Sequence, residues 1–428
     1  MAEESPPKLD VASLQAAFAD LRVSPEAAKD SSKLLELASQ APVVRLVDAM
    51  LSEAVQRRAS DVHVEAFELE MVIRYRIDGI CYEVARPPKS LALAISSRIK
   101  ILSNLDVAES RLPQDGRILL SRDGRQIDLR VSTLPTIFGE SIVMRVLDKG
   151  ALQKTLGQLG MSPATQQTVE SLITRPHGLL LVTGPTGSGK TTTLYACLTT
   201  LNREDVKIIT TEDPVEYDIA GLVQVAVNQK IDLTFASCLR AILRHDPDII
   251  MVGEIRDPDT ATIAIQASLT GHLVFSTLHT NDAPGAVTRL LDMGLEPFLI
   301  TSTVHGVLAQ RLIRRVCPSC RIERPITDEE RQVLSRMPTG DQVLTSLMHA
   351  PGCAACNGLG YQGRLGLYEM MVLDEAIRGL VLQRQPISAI RQAARAQGMR
   401  TLREDGIAKV VAGETTLEEV MRETQDYE

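Results

Sequence analysis

The chain has 428 residues, of which 44% are hydrophobic, 3% aromatic and none tryptophan, and its formal net charge is -8. That length exceeds one compact core and predicts two or three domains, while the acidic balance and the scarcity of aromatics argue against a broad nucleic-acid surface or a stacking platform for single strands. No apolar run reaches the roughly 18 residues a membrane span needs, and Met1 to Ser5 lacks the basic and apolar regions of a signal peptide, so the expectation is a cytoplasmic protein.

Within residues 1–40, Pro6-Pro7 is followed by Val11, Leu14, Phe18 and Leu21 at helical spacing. This predicts a partly disordered segment carrying a short amphipathic helix, which either docks on a partner or packs on its own domain. Residues 41–150 read as a small α+β domain. Val44, Val47, Met50, Leu51, Ala54 and Val55 form an apolar helical stripe, and Asp61 to Glu65 and Met71 to Ile77 alternate as half-buried strands. A helix near Leu91 to Leu102 and a turn at Pro113-Gln114-Asp115-Gly116 precede another strand, Gln126 to Ser132. Residues 151–175 mix Gly, Ser, Pro and Gln around a short helical pattern and read as a linker. From 176 to 315 the runs Leu179 to Thr183, Val206 to Thr211, Ile249 to Val252 and Leu273 to Ser276 are separated by helical segments, and that alternation predicts a parallel α/β sheet. Residues 316–368 hold paired cysteines. Residues 369–428 read as helices from about Asp374, the last opened by a T-x-x-E capping box within Thr415 to Glu419.

The most specific signal is Gly184-Pro185-Thr186-Gly187-Ser188-Gly189-Lys190-Thr191, set between the Leu179 strand and a helix that continues through Thr192 and Thr193. Strand, glycine loop and helix N-terminus together aim several backbone N–H groups at one point and add the positive end of the helix dipole, as a P-loop does. Residues 184–192 are therefore the expected ATP-binding segment, with Lys190 reaching the β- and γ-phosphates and Thr191 ligating Mg²⁺. Ile249 to Gly253 delivers Glu254 to the carboxyl end of a strand, where ligands of open α/β sheets lie. Glu254 reads either as the carboxylate that orients or deprotonates the attacking water or as a cap on the helix that follows Asp257-Pro258-Asp259. Gly253 stands where many P-loop ATPases carry a Mg²⁺-binding aspartate. Glu212, Asp213 and Glu216 follow another strand and read either as organisers of Mg²⁺ and its waters or as a solvated turn. His279, at the end of a further strand, reads as a γ-phosphate sensor or as a hydrogen-bonded structural residue.

Of seven cysteines, four fall in two pairs, Cys317/Cys320 and Cys353/Cys356. In a reducing compartment such C-x-x-C units read as four thiolate ligands of one structural Zn²⁺, a closed and non-catalytic site. The 32 residues between them, 321 to 352, exceed the roughly 15–20 of compact ribbons, so a small helical insert is expected there.

The blocks GPTGSGKT at 184–191, TTEDPVEY at 210–217, LRAILRHDPDIIMVGEIRD at 239–257 and STLHT at 276–280 resemble the Walker A, aspartate, Walker B and histidine boxes of the bacterial secretion ATPases that power type II secretion and type IV pili. The likeness extends to SDVHVEAFE at 60–68, RLPQDGRI at 111–118 and the four cysteines. It implies a RecA-like P-loop ATPase core with a preceding small α+β domain, a tetracysteine zinc subdomain and a C-terminal helical region. It also implies a homo-hexamer in the cytoplasm, peripherally attached to the inner membrane through platform proteins and not by contacts of its own; the acidic balance and few aromatics disfavour a nucleic-acid partner. By position in these blocks, Arg240 and Arg244 are expected to sense phosphate, followed by Arg117 and Arg130. Pilus retraction ATPases lack the tetracysteine element, so the cysteines point to an assembly or secretion role, and AVTRLLDMGLEPFLITSTVHGVLAQRLIRR at 286–315 resembles the secretion members. The alternatives carried forward are a type IV pilus assembly ATPase and a nucleotide-dependent structural clamp with little turnover.

Overall fold

The computed structural model describes residues 31–122, 125–148, 154–335, 337 and 344–424; the helix expected at Val11 to Leu21 lies outside them. The chain divides into two compact units, one of residues up to 152 with 352–359, the other of residues 153–351 and 360–428.

In the first unit, helices Ser31–Ala38 and Ala41–Gln56 lead into β1 (Asp61–Ala66), β2 (Met71–Ile77) and β3 (Ile80–Ala85), then helix Ala92–Leu102 and β4 (Gln114–Arg122), β5 (Arg125–Thr136) and β6 (Gly139–Asp148). The strands form one antiparallel sheet in the order β3-β2-β1-β6-β5-β4. Its inner face buries Val64, Ile73, Tyr75, Leu129 and Met144 beside Leu46, Met50, Ile95 and Ile99 of the two longer helices, and the Tyr75 hydroxyl donates to the Met50 carbonyl at 2.7 Å. The period-2 alternation read at 71–77 thus sorts apolar side chains inward, as one-sided sheets require. The turn expected at residues 113–116 is instead the start of β4. Gly116 pairs in register with Val131, and a Cβ there would lie 2.5 Å from the Ser103 carbonyl, so this glycine serves close approach and not a bend.

The second unit opens with helix Pro163–Ile173 inside the stretch expected as a linker. Ser162 and Pro163, which suggested a break, are its N-cap and first residue, and Val169, Leu172 and Ile173 are buried. The strands are β7 (Gly178–Thr183), β8 (Ile208–Glu212), β9 (Val223–Ala226), β10 (Ile249–Val252), β11 (Leu273–Leu278), β12 (Val304–Val316), β13 (Ile322–Pro325), β14 (Ser346–His349) and β15 (Tyr361–Val372). Seven of them form a sheet in the order β15-β12-β7-β11-β10-β8-β9. Neighbours are parallel throughout except β12 and β15, which pair antiparallel. Every residue of β7, β10 and β11 is buried because helices such as Pro258–Leu269 and Ala283–Asp292 cover the sheet. Between the cysteine pairs, β13 and β14 form a two-stranded ribbon around helix Asp328–Leu334, so the expected helical insert also carries strands. Helices Glu375–Leu382, Ile387–Ala396, Leu402–Val411 and Leu417–Glu423 complete the unit. Among the described residues no helix is long and apolar enough to cross a membrane.

Candidate active site

The glycine loop joins the carboxyl end of β7 to helix Lys190–Leu201. Gly184, Gly187 and Gly189 take φ of +147°, +81° and +87°, angles that suit residues without a Cβ. Lys190 folds over the loop and donates to the carbonyls of Gly184 and Pro185 at 2.8 and 3.0 Å. Burial lowers its pKa to about 8, against the opposing field of Glu254. The Ser188 hydroxyl is buried without a hydrogen-bond partner. A buried orphan hydroxyl, an ammonium resting on its own loop and open space around the Cα of Gly187 fit a cradle built for phosphate oxygens. Thr191 and Thr192, half-buried in the first helical turn, stand beside it.

Two neighbouring strands end at the same edge of the sheet. After β10, the Gly253 N–H donates to the Thr211 carbonyl at 2.7 Å and the Ile255 N–H to the Thr277 carbonyl at 3.0 Å, which holds Glu254 between β8 and β11. Its carboxylate takes Arg256 at 2.5 Å and His279 Nε2 at 3.2 Å. Glu254 does not cap the next helix; Asp257 does, accepting from the Thr260 N–H at 2.8 Å. At Gly253 a Cβ would lie 3.2 Å from the Thr211 carbonyl, so an aspartate there would require the adjoining strand to give way. After β11, Thr280 bonds back to Thr183 at the end of β7 through both its N–H and its hydroxyl, at 2.9 and 2.7 Å. Lys190, Glu254 and His279 therefore belong to one cluster, drawn from three adjacent strands.

The other residues expected in this unit stand apart from it. Glu212 is 3% exposed and accepts from the hydroxyls of Tyr195 and Thr210 and from Gln224 Nε2, so both oxygens are engaged by protein donors. Arg240 pairs with Asp259 at 3.8 Å, and Arg244 donates to the Arg240 carbonyl at 2.8 Å; neither reaches Glu254 within this chain. In the first unit, Arg117 makes a two-pronged pair with Asp128 at 2.5 Å, and Arg117, Arg130, Arg145, Asp61 and Arg76 follow one another in register across five strands. Two contributors lie within the matched blocks but were not singled out in them: Arg256, beside Glu254, and Gln310 on β12, which holds the glycine loop. Arg256 was legible from its spacing to Glu254; Gln310 lies 121 residues from Gly189.

The Sγ atoms of Cys317, Cys320, Cys353 and Cys356 all lie within 4.8 Å of one another, and those of Cys353 and Cys356 are 3.8 Å apart. A tetrahedral zinc with Zn–S bonds of about 2.3 Å needs sulfur separations of about 3.8 Å, so the donor set and its spacing are compatible with zinc.

Fold and glycine loop have the form of a P-loop ATPase. A family profile described as Type II/IV secretion system protein matches residues 36–422. The chain is 52% identical over 396 residues to the type II secretion system protein E of Aeromonas hydrophila, covering 92% of this chain and 78% of that protein. It is 54% identical over 393 residues to the type II secretion system protein HxcR of Pseudomonas aeruginosa, covering 92% and 80%. Among solved structures it resembles the pilus retraction motor PilT with bound ADP, at TM-score 0.58 and 25% identity over 88% of this chain and 96% of that one. The fold also matches the Legionella pneumophila ATPase DotB, at TM-score 0.66 and 22% identity over 88% and 94%. The chain belongs to the type II/IV secretion system protein family.

Proposed function

We propose that this chain is the motor ATPase of a type II secretion machine, a hexamer in the cytoplasm that hydrolyses ATP and acts on the inner-membrane platform through partner proteins, without a nucleic-acid substrate. The observation that carries the reading is the convergence of Lys190, Glu254 and His279 on one strand edge beside a buried glycine cradle. In this reading the backbone N–H groups of 187–191 and the Lys190 ammonium hold the β- and γ-phosphates, and Lys190 exchanges its two loop carbonyls for phosphate oxygens. Thr191 would hold Mg²⁺, which would supply positive charge to offset that of the phosphates. Glu254 orients the attacking water and takes its proton, once incoming phosphate draws Arg256 or His279 off the carboxylate. Glu212 acts from a distance by bracing β8 against helix Lys190–Leu201. Arg240, Arg244, Arg117 and Arg130 are proposed phosphate contacts of the assembled ring. Arg117, Arg130 and Arg145 stand side by side in register on one sheet, a grouping of guanidiniums of the kind that takes phosphate oxygens in pairs. Cys317, Cys320, Cys353 and Cys356 would hold Zn²⁺, which would tie the two C-x-x-C segments together.

The test is to trap Glu254→Gln with ATP in the native cell and identify the membrane proteins that copurify. A type II secretion platform supports the proposal, whereas pilus components would assign the same chemistry to pilus assembly. Secretion that persists undiminished in Glu254→Gln cells would leave a structural clamp and remove the motor.

A further inference from the structure

β12 carries a buried amide that the chemistry above does not use. Gln310 is 2% exposed. Its Nε2 donates to the Ser188 carbonyl at 2.7 Å, and its Oε1 accepts from the Thr193 hydroxyl at 2.7 Å. The same residue fills the space behind two loop glycines: a Cβ on Gly184 would lie 2.3 Å from the Gln310 carbonyl, and one on Gly189 would lie 2.8 Å from its Nε2.

We infer that Gln310 is a positioning residue of the phosphate loop, fixing the Ser188–Gly189 peptide so that the Gly189 N–H faces the phosphates. In a trans peptide the carbonyl and the following N–H point in opposite directions. Pinning the Ser188 oxygen toward β12 therefore directs the Gly189 N–H away from β12. A loop whose glycines at 187 and 189 both have positive φ has little intrinsic resistance to rotation of the peptides between them. A rotated 188–189 peptide would present an acceptor to an anion instead of a donor. The brace needs a donor at one end and an acceptor at the other, which a neutral amide supplies. Because Thr193 lies one turn into helix Lys190–Leu201, the single side chain also ties the loop to the helix that carries Lys190 and Thr191.

Gln310→Met keeps the volume and removes both hydrogen bonds. In the full-length protein we expect it to weaken MgADP binding, read by calorimetric titration, about tenfold, the loss associated with one or two hydrogen bonds. The KM for ATP should rise by a similar factor with kcat within about twofold, since the lost N–H contact serves ground and transition state alike. A role limited to packing would be rescued by methionine. Parent-like MgADP affinity and KM in Gln310→Met, beside a Lys190→Ala variant that binds poorly, overturns the assignment alone. If the parent fails to bind MgADP, the phosphate-loop reading falls with it. Thr193→Val, which removes only the Oε1 partner, gives the second measurement if Gln310→Met does not fold. A several-fold loss of MgADP affinity supports the assignment, and unchanged affinity overturns it.

Discussion

Lys190 is a cation held where water is scarce, and that has a consequence for pH. Burial lowers its pKa to about 8 from the usual value near 10.5. In the unfolded chain the same amine keeps its proton to higher pH, so between about pH 8 and 10.5 the unfolded state binds more protons and this group's contribution to stability rises with pH. Nucleotide binding has the opposite slope, because phosphate needs the ammonium. Affinity for MgADP is expected to be flat below about pH 8 and to fall above it, and Lys190→Met should bind weakly with that slope removed; titrations across the range check both. Glu254→Gln should lower kcat by about 10²- to 10⁴-fold, the usual contribution of a general base, with nucleotide affinity nearly unchanged; phosphate release and binding measured on one sample separate the two. Lys190 and Glu254 were readable as candidates because each follows a strand, β7 or β10, whose continuous apolar run announces it. Gln310 and Tyr195 were not, since their partners lie far along the chain and neither sits in a chemical motif. Arg240 and Arg244 were legible as members of a block, yet the helix Phe235–Ile242, which carries Arg240 and ends just before Arg244, turns Phe235, Leu239 and Ile242 inward, and both guanidiniums lie outside the Glu254 cluster.

Elements were readable where one periodicity ruled. The runs that became β7, β10 and β11 are continuous and apolar, as strands covered on both faces must be. β12 and β15 escaped notice although they are the sheet's longest strands, at 13 and 12 residues. Gln310, Arg311, Arg314 and Glu369 interrupt their apolar pattern, and each of these polar groups is explained only by a tertiary partner. The capping signal at the last helix was half right. Thr416 accepts from the Glu419 N–H at 3.3 Å, but the Glu419 side chain turns to Arg314 and Arg422. Glu369 of β15 acts between elements. It accepts from the Ala283 N–H at 2.8 Å and the Leu402 N–H at 3.4 Å, at the starts of two helices. Burial raises its pKa to about 7, and the nearby Asp282 adds to the shift. Folded protein therefore holds this proton where the unfolded chain has released it, and the stability the proton contributes below about pH 4.5 is lost as pH rises toward 7. The melting temperature should accordingly include a component that declines from about pH 5 to 7 and is absent in Glu369→Gln; melts of both proteins at four pH values test it.

For the whole molecule, two expectations concern what is bound. Protein purified without chelator should contain about one zinc per chain; less than about half an equivalent in a folded sample would count heavily against a closed tetrathiolate site. Stripping the metal, or Cys353→Ser, should lower the melting temperature by several degrees. If ring formation completes the active site, turnover per chain rises steeply with protein concentration, and a flat profile in a monomeric sample contradicts it. The four thiols and the phosphate cradle look unrelated in sequence, but β12 connects them. The strand bears Gln310 and ends at Val316, immediately before Cys317, and from Gly306 to Ala309 it is hydrogen-bonded on both sides, to β7 and β15. Seven residues of strand span about 23 Å, so Cys317 and the glycine loop that Gln310 holds hang from a common girder.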